Sequence, residues 1–174
     1  MYKKDMQEHL KEYIAQFRSL NTNKRAGIDA PHKPVLLLAI MDLIESGVIN
    51  GTRIELTEQL EKAFLRNWKR YVGSSILFQP KVATPFWHMQ NEPFYRLYTN
   101  DGKELSGSPY SVKILRENTY AILDKDLLDL MKDENCRAHL RVILVSTYLQ
   151  NQHITPDVMM SIVALLGTII RFAA

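Results

Sequence analysis

The residues able to do chemistry in this chain are few, and their spacing limits what they can do. Its five histidines are His9, His32, His88, His139 and His153. None stands in an HExxH or HxH arrangement that would aim two imidazoles at one metal. Cys136 and His139 lie three apart on one predicted helix, which offers two ligands without a third or fourth. Asp101-Gly102-Lys103 formally supplies the last element of a PD-(D/E)xK nuclease. That chemistry needs a second carboxylate beside the lysine on a strand face, whereas Asn100-Asp101-Gly102 reads as a turn and the preceding proline-aspartate is absent. There is no nucleophile elbow, phosphate-binding loop or dinucleotide fingerprint, and no HNH cluster. The expectation is a chain without a catalytic centre, a metal or a cofactor.

Two segments carry binding chemistry instead. Lys24-Arg25-Ala-Gly-Ile-Asp-Ala-Pro31-His32-Lys33-Pro34 is a basic loop running into a helix start. Unpaired backbone N–H groups at such an end favour an anion, and Arg25, His32 and Lys33 add donors and charge. The alternative is a stiff helix start with no ligand. The second segment is Pro80-Lys81-Val82-Ala83-Thr84-Pro85-Phe86-Trp87-His88-Met89. Read as a strand, it puts Phe86 and His88 on one side and Trp87 and Met89 on the other. One set then serves the core, while the other joins Pro85 in an apolar and polar rim. A plain edge strand is the alternative.

The elements that must position these segments follow from periodicity. Met6, Leu10, Tyr13, Ile14, Phe17 and Leu20 recur at helical spacing, predicting an amphipathic helix over about 3–20. Residues 21–31 read as a loop. Pro34 and Gly47 bracket a second helix that is apolar on most faces and therefore central. Arg53-Ile54-Glu55-Leu56 reads as a short strand, and Thr57 caps a third helix ending at Gly73, with Arg66, Lys69 and Arg70 on its outer side. The runs 84–89 and 94–99, joined by Gln90-Asn91-Glu92-Pro93, predict a β-hairpin, and Asn100-Asp101-Gly102-Lys103 a further turn. Helices resume around Leu127/Leu128/Met131, Leu140/Ile143/Leu144 and Met159/Ile162/Leu166/Ile170. The expected class is α+β, mostly helical, with a winged-helix-like core, a short hairpin and C-terminal helices.

Length and composition agree with one domain. The 174 residues suffice for a core, and 46% hydrophobic against 24% charged excludes a disordered chain. Residues 1–150 read as the binding domain and 151–174 as a C-terminal helix packed on it. The apolar stretch 158–174 is shorter than the roughly 20 residues that span a bilayer, so no membrane is expected. One cysteine and no apolar leader point to the cytoplasm. The net charge of +3 is mild, but its distribution is not. Residues 62–91 hold five basic side chains and no acid, whereas 117–134 hold six acids and two lysines. This polarity suits a polyanion on one side, although two solvated faces would look the same.

The runs Ala30-Pro31-His32-Lys33-Pro34-Val35-Leu36-Leu37-Leu38, Thr84-Pro85-Phe86-Trp87-His88-Met89 and Phe94-Tyr95-Arg96-Leu97 together resemble the DNA sulfur-binding domain. That domain precedes HNH nuclease domains in phosphorothioate-dependent restriction endonucleases. The resemblance covers about residues 5–150. It implies a reader of double-stranded DNA in which one sulfur replaces a non-bridging phosphate oxygen. It further implies that Arg25, His32 and Lys33 hold the backbone and bases, while Pro85 with Thr84 and His88 lines an apolar sulfur cup. The family commonly has arginine at the place of Lys33, an aromatic at Thr84 and a small residue at His88. The nuclease would be a partner or a further HNH domain, and a homodimer is left open. The alternative is a winged-helix transcriptional regulator, with the third helix in the major groove and the hairpin as wing. A protein-interaction domain pairing through its C-terminal helix is a third reading.

Overall fold

A computed structural model describes residues 2–107, 111–150 and 152, with backbone alone for 2–5. The predicted terminal helix therefore lies outside the described residues except for Gln152, and so does part of the break at 106–109. Helix α1 (Tyr2–Arg18) forms where its periodicity places it, burying Tyr13 and Phe17. Helix α2 (His32–Glu45) is the centre of the molecule, buried from Lys33 to Met41 and again at Leu43 and Ile44. It packs on the helices Glu58–Tyr71, Ala83–His88, Lys125–Lys132 and Glu134–Leu144. Its end follows the expected cap: Gly47 adopts φ +73° and donates to the Ile44 carbonyl, while the Val48 amide reaches back to Leu43.

Helix α3 (Glu58–Tyr71) starts on Thr57, whose hydroxyl accepts the Leu60 amide at 3.2 Å. Its buried face of Leu60, Ala63, Phe64 and Trp68 lies on α2, and Arg66, Lys69 and Arg70 are exposed. The short strands β1 (Lys24–Arg25) and β2 (Ile28–Asp29) turn the expected loop into a tight hairpin. Both turn residues have positive φ, 49° at Ala26 and 77° at Gly27, as the twist of a two-residue hairpin requires.

One expectation is overturned. Residues 84–89 do not form a strand; the segment is helix α4 (Ala83–His88), continued by a 3-10 turn over Met89–Asn91. Its real period is the one that buries Val82, Phe86 and Met89, spaced four and three apart. Pro85 is tolerated because the first turn of a helix has no N–H partner to lose. The following run does form strand β4 (Tyr95–Thr99), but it pairs with β5 (Thr119–Leu123), which also pairs with β3 (Arg53–Ile54). The sheet is thus β3-β5-β4, all antiparallel. The wing of a winged helix does not form at 84–99. The mostly helical α+β class stands, with seven α-helices and two small sheets among the described residues.

Helix α5 (Val112–Glu117) leads into β5, and α6 (Lys125–Lys132) and α7 (Glu134–Leu144) close the core with Leu127, Leu128, Met131, Leu140 and Leu144. The polar end of α2 is tied to α7. Arg141 reaches Asp42 at 2.7 Å and Glu45 at 3.0 Å, and the buried Arg137 reaches Glu45 at 3.2 Å. Among the described residues no helix is long and apolar enough to cross a membrane.

Candidate nucleic-acid interface

The N-terminal end of α2, the β1–β2 hairpin and the exposed side of α4 enclose a cavity of about 410 Å³. Arg25, His32, Lys33, Thr84, Pro85 and His88 all line it. Two segments some fifty positions apart in sequence are therefore brought together. The helix explains the grouping better than the expected strand does. Lys81, Thr84, Pro85, His88 and Asn91 are spaced three, one, three and three apart, which is one helical face. In a strand, Thr84 and His88 would share a side with Phe86, and Pro85 would point away.

Arg25, His32 and Lys33 are each held in a definite way. Arg25 donates through Nη1 to the Leu77 carbonyl at 2.8 Å and lies over the Phe78 ring at 5.7 Å. Only one of its five N–H groups is spent there, so the exposed guanidinium retains donors for an anion. His32 is 2.8 Å from the Gln79 carbonyl through Nε2. Because a carbonyl only accepts, Nε2 carries the proton and Nδ1 is left as an acceptor in the neutral ring. The ring packs against Trp68 at 4.9 Å and Phe78 at 5.9 Å. Burial lowers the pKa of His32, opposed by the bond to Gln79, and Arg25 lowers it further. His32 is thus a neutral spacer rather than the cation its sequence position suggested.

Lys33 differs more from expectation. It is only 6% exposed, and its ammonium is hydrogen-bonded to the carboxylate of Glu92, which is also 6% exposed. The same Glu92 oxygen accepts the Asn21 amide at 3.0 Å. The pair fastens the start of α2 to the loop after α4 and to the chain leading into β1. His88 is held below the ordinary histidine range by partial burial first and by the Lys33 ammonium second. The cavity's outward charge therefore comes from Arg25 and from exposed Lys81, which the sequence reading left out of the site. Phe78, Gln79 and Asn91 also line it and were missed. A helical reading of 81–91 finds Lys81 and Asn91; Gln79 acts through its carbonyl, which has no side-chain signature.

Arg66, Lys69 and Arg70 do not line this cavity; they stand on the exposed side of α3, whose Trp68 supports His32 from below. A second cavity of about 700 Å³ lies beyond His88 and Asn91, which border both, and it is faced by Trp87, Tyr95, Arg96 and Glu104. The sites weighed for catalysis are disposed differently. Asp101 and Lys103 sit on an exposed turn, 3.4 Å from each other. Cys136 is buried, with its thiol pushed up to about 11 by burial and by Asp133, while His139 is exposed. Among the described residues no group of three or more His, Cys, Asp or Glu could hold a metal ion.

Comparison with known families adds a match to this geometry. The family model described as ScoMcrA-like, DNA sulfur-binding domain, matches residues 10–166. No curated protein matches the chain.

Proposed function

Since the chain belongs to the ScoMcrA-like DNA sulfur-binding domain family, we propose that it reads a phosphorothioate in duplex DNA through the cavity between α2 and α4. It is a DNA-binding recognition domain rather than a catalytic one. The observation that carries the finer reading is the convergence of Arg25, His32, Lys33, Thr84, Pro85 and His88 on one cavity. Buried Pro85, with Thr84 and His88 beside it, lines the cup for sulfur. A sulfur atom is larger, more polarisable and less strongly hydrated than the oxygen it replaces, so an apolar wall costs it little. The oxygen of an ordinary phosphate loses water there without gaining a donor, a penalty of roughly 1–3 kcal/mol.

Arg25 and Lys81 supply the attraction for the flanking backbone, and His32 keeps the Gln79 segment in place. Lys33, its charge answered by Glu92, lines the cavity. The exposed Arg66, Lys69 and Arg70 act as flanking phosphate contacts that position the duplex without reading it. Cleavage belongs to a nuclease partner or to an HNH domain joined to this module. The test is binding to two duplexes of one sequence, one carrying a single sulfur in the correct stereochemistry, across a salt series. Preference for the sulfur duplex is expected. Equal binding to both would sink the sulfur reading and leave a general DNA-binding domain.

A further inference from the structure

We infer that Glu92 is a specificity residue, which discriminates against ordinary phosphate by keeping the Lys33 ammonium out of reach. The inference rests on the cavity being the DNA site. The cavity is lined by a lysine, and a lysine beside a phosphate is ordinarily its partner. Here the ammonium is already engaged by a carboxylate as deeply buried as itself. To serve a phosphate oxygen, Lys33 must leave Glu92. That exchange strips a buried carboxylate of its cation and leaves it the Asn21 amide at 3.0 Å, a neutral donor. Such a carboxylate, close to an incoming anion, opposes it twice over, by repulsion and by its own unpaid desolvation.

A sulfur-bearing linkage avoids this exchange because its sulfur needs no strong donor. It rests on the wall of Pro85 and Thr84 while Lys33 stays with Glu92. The charge on the pair sums to zero, so the net attraction of the cavity comes from Arg25 and Lys81. Removing the charge of Glu92 changes that balance. Lys33 then becomes an uncommitted cation in the cavity, and the ordinary oxygen gains the donor it lacked.

The experiment measures binding of Glu92→Gln and of the double variant Lys33→Gln/Glu92→Gln to both duplexes over a salt series. Circular dichroism and thermal melting first establish that each variant is folded. Glu92→Gln is expected to bind the unmodified duplex several-fold more tightly than the parent does, so that sulfur preference falls. The slope of log K against log salt should steepen by about 0.9, one further phosphate neutralised. The double variant should lose that extra increment. A merely structural role would weaken both duplexes alike and leave the slope of Glu92→Gln where it was, which overturns the inference. Should Glu92→Gln fail to fold, the double variant decides alone. If its slope is shallower than the parent's by about 0.9, Lys33 already neutralises a phosphate and Glu92 does not restrain it. If the parent itself prefers neither duplex, the sulfur reading fails, while the slope on unmodified DNA still tests Glu92.

Discussion

At the residue scale, the site depends on side chains whose charge state is set by burial. His32 is held neutral between Trp68, Phe78 and the Gln79 carbonyl, and the pKa of His88 is lowered as well. A histidine whose folded pKa lies below its unfolded value stabilises the fold fully above about 6.5, the unfolded value. The contribution is lost as pH falls below that, because the unfolded chain takes up the proton first. Urea unfolding at pH 7.5 and pH 5.5 should therefore show a loss on acidification that is smaller in His32→Gln. Pro85 gives a second prediction. It is buried at the cavity, so Pro85→Glu places a carboxylate where the sulfur is proposed to sit. Binding to the sulfur duplex should drop by at least ten-fold, about 1.4 kcal/mol, with the melting temperature measured in parallel to separate recognition from folding.

At the element scale, α4 shows what was legible in the sequence and what was not. Aromatic content made 84–89 look like a strand, yet the apolar positions buried most deeply there, Val82, Phe86 and Met89, follow a helix. Tertiary packing selected among them: the Phe86 ring meets Tyr95 edge-on at 6.1 Å, and the Tyr95 hydroxyl donates to the Phe86 carbonyl at 3.1 Å. Six of the residues that line the cavity were nevertheless named from sequence, because the two motifs and the family resemblance they carry did not depend on the wrong period. The Lys33–Glu92 pair was not legible, since its partners lie 59 positions apart and no local pattern links them. Phe86→Ala should cost about 3–5 kcal/mol in denaturant unfolding, the usual price for a fully buried aromatic. In the β1–β2 hairpin, Ala26 sits at φ 49°, a conformation asparagine adopts more readily. Ala26→Asn should raise stability by about 1 kcal/mol and show as a higher melting temperature.

At the scale of the whole molecule, the basic residues proposed to meet DNA stand in two separate places. Arg25 and Lys81 lie at the cavity, whereas Arg66, Lys69 and Arg70 stand on α3 outside it. Replacing the three α3 residues by alanine should weaken binding to sulfur and oxygen duplexes equally and flatten the salt slope by up to about 2.7, three phosphates' worth. Titrations of both duplexes at several salt concentrations distinguish this from an effect on the cup. The opposite end of the molecule is fastened differently. Arg137 and Arg141 on α7 hold Asp42 and Glu45 at the far end of α2, so the helix that presents His32 and Lys33 at one end is anchored at the other.

The spacing of Lys81, Thr84, Pro85, His88 and Asn91 also makes this wall sensitive to chain length. One residue inserted between Pro85 and His88 turns everything after it by about 100° around the helix axis. His88 and Asn91 would then leave the cup, and the dividing wall between the two cavities would go with them. A homologue with a gap there has lost the register of this surface, even if every residue named above is still present in its sequence.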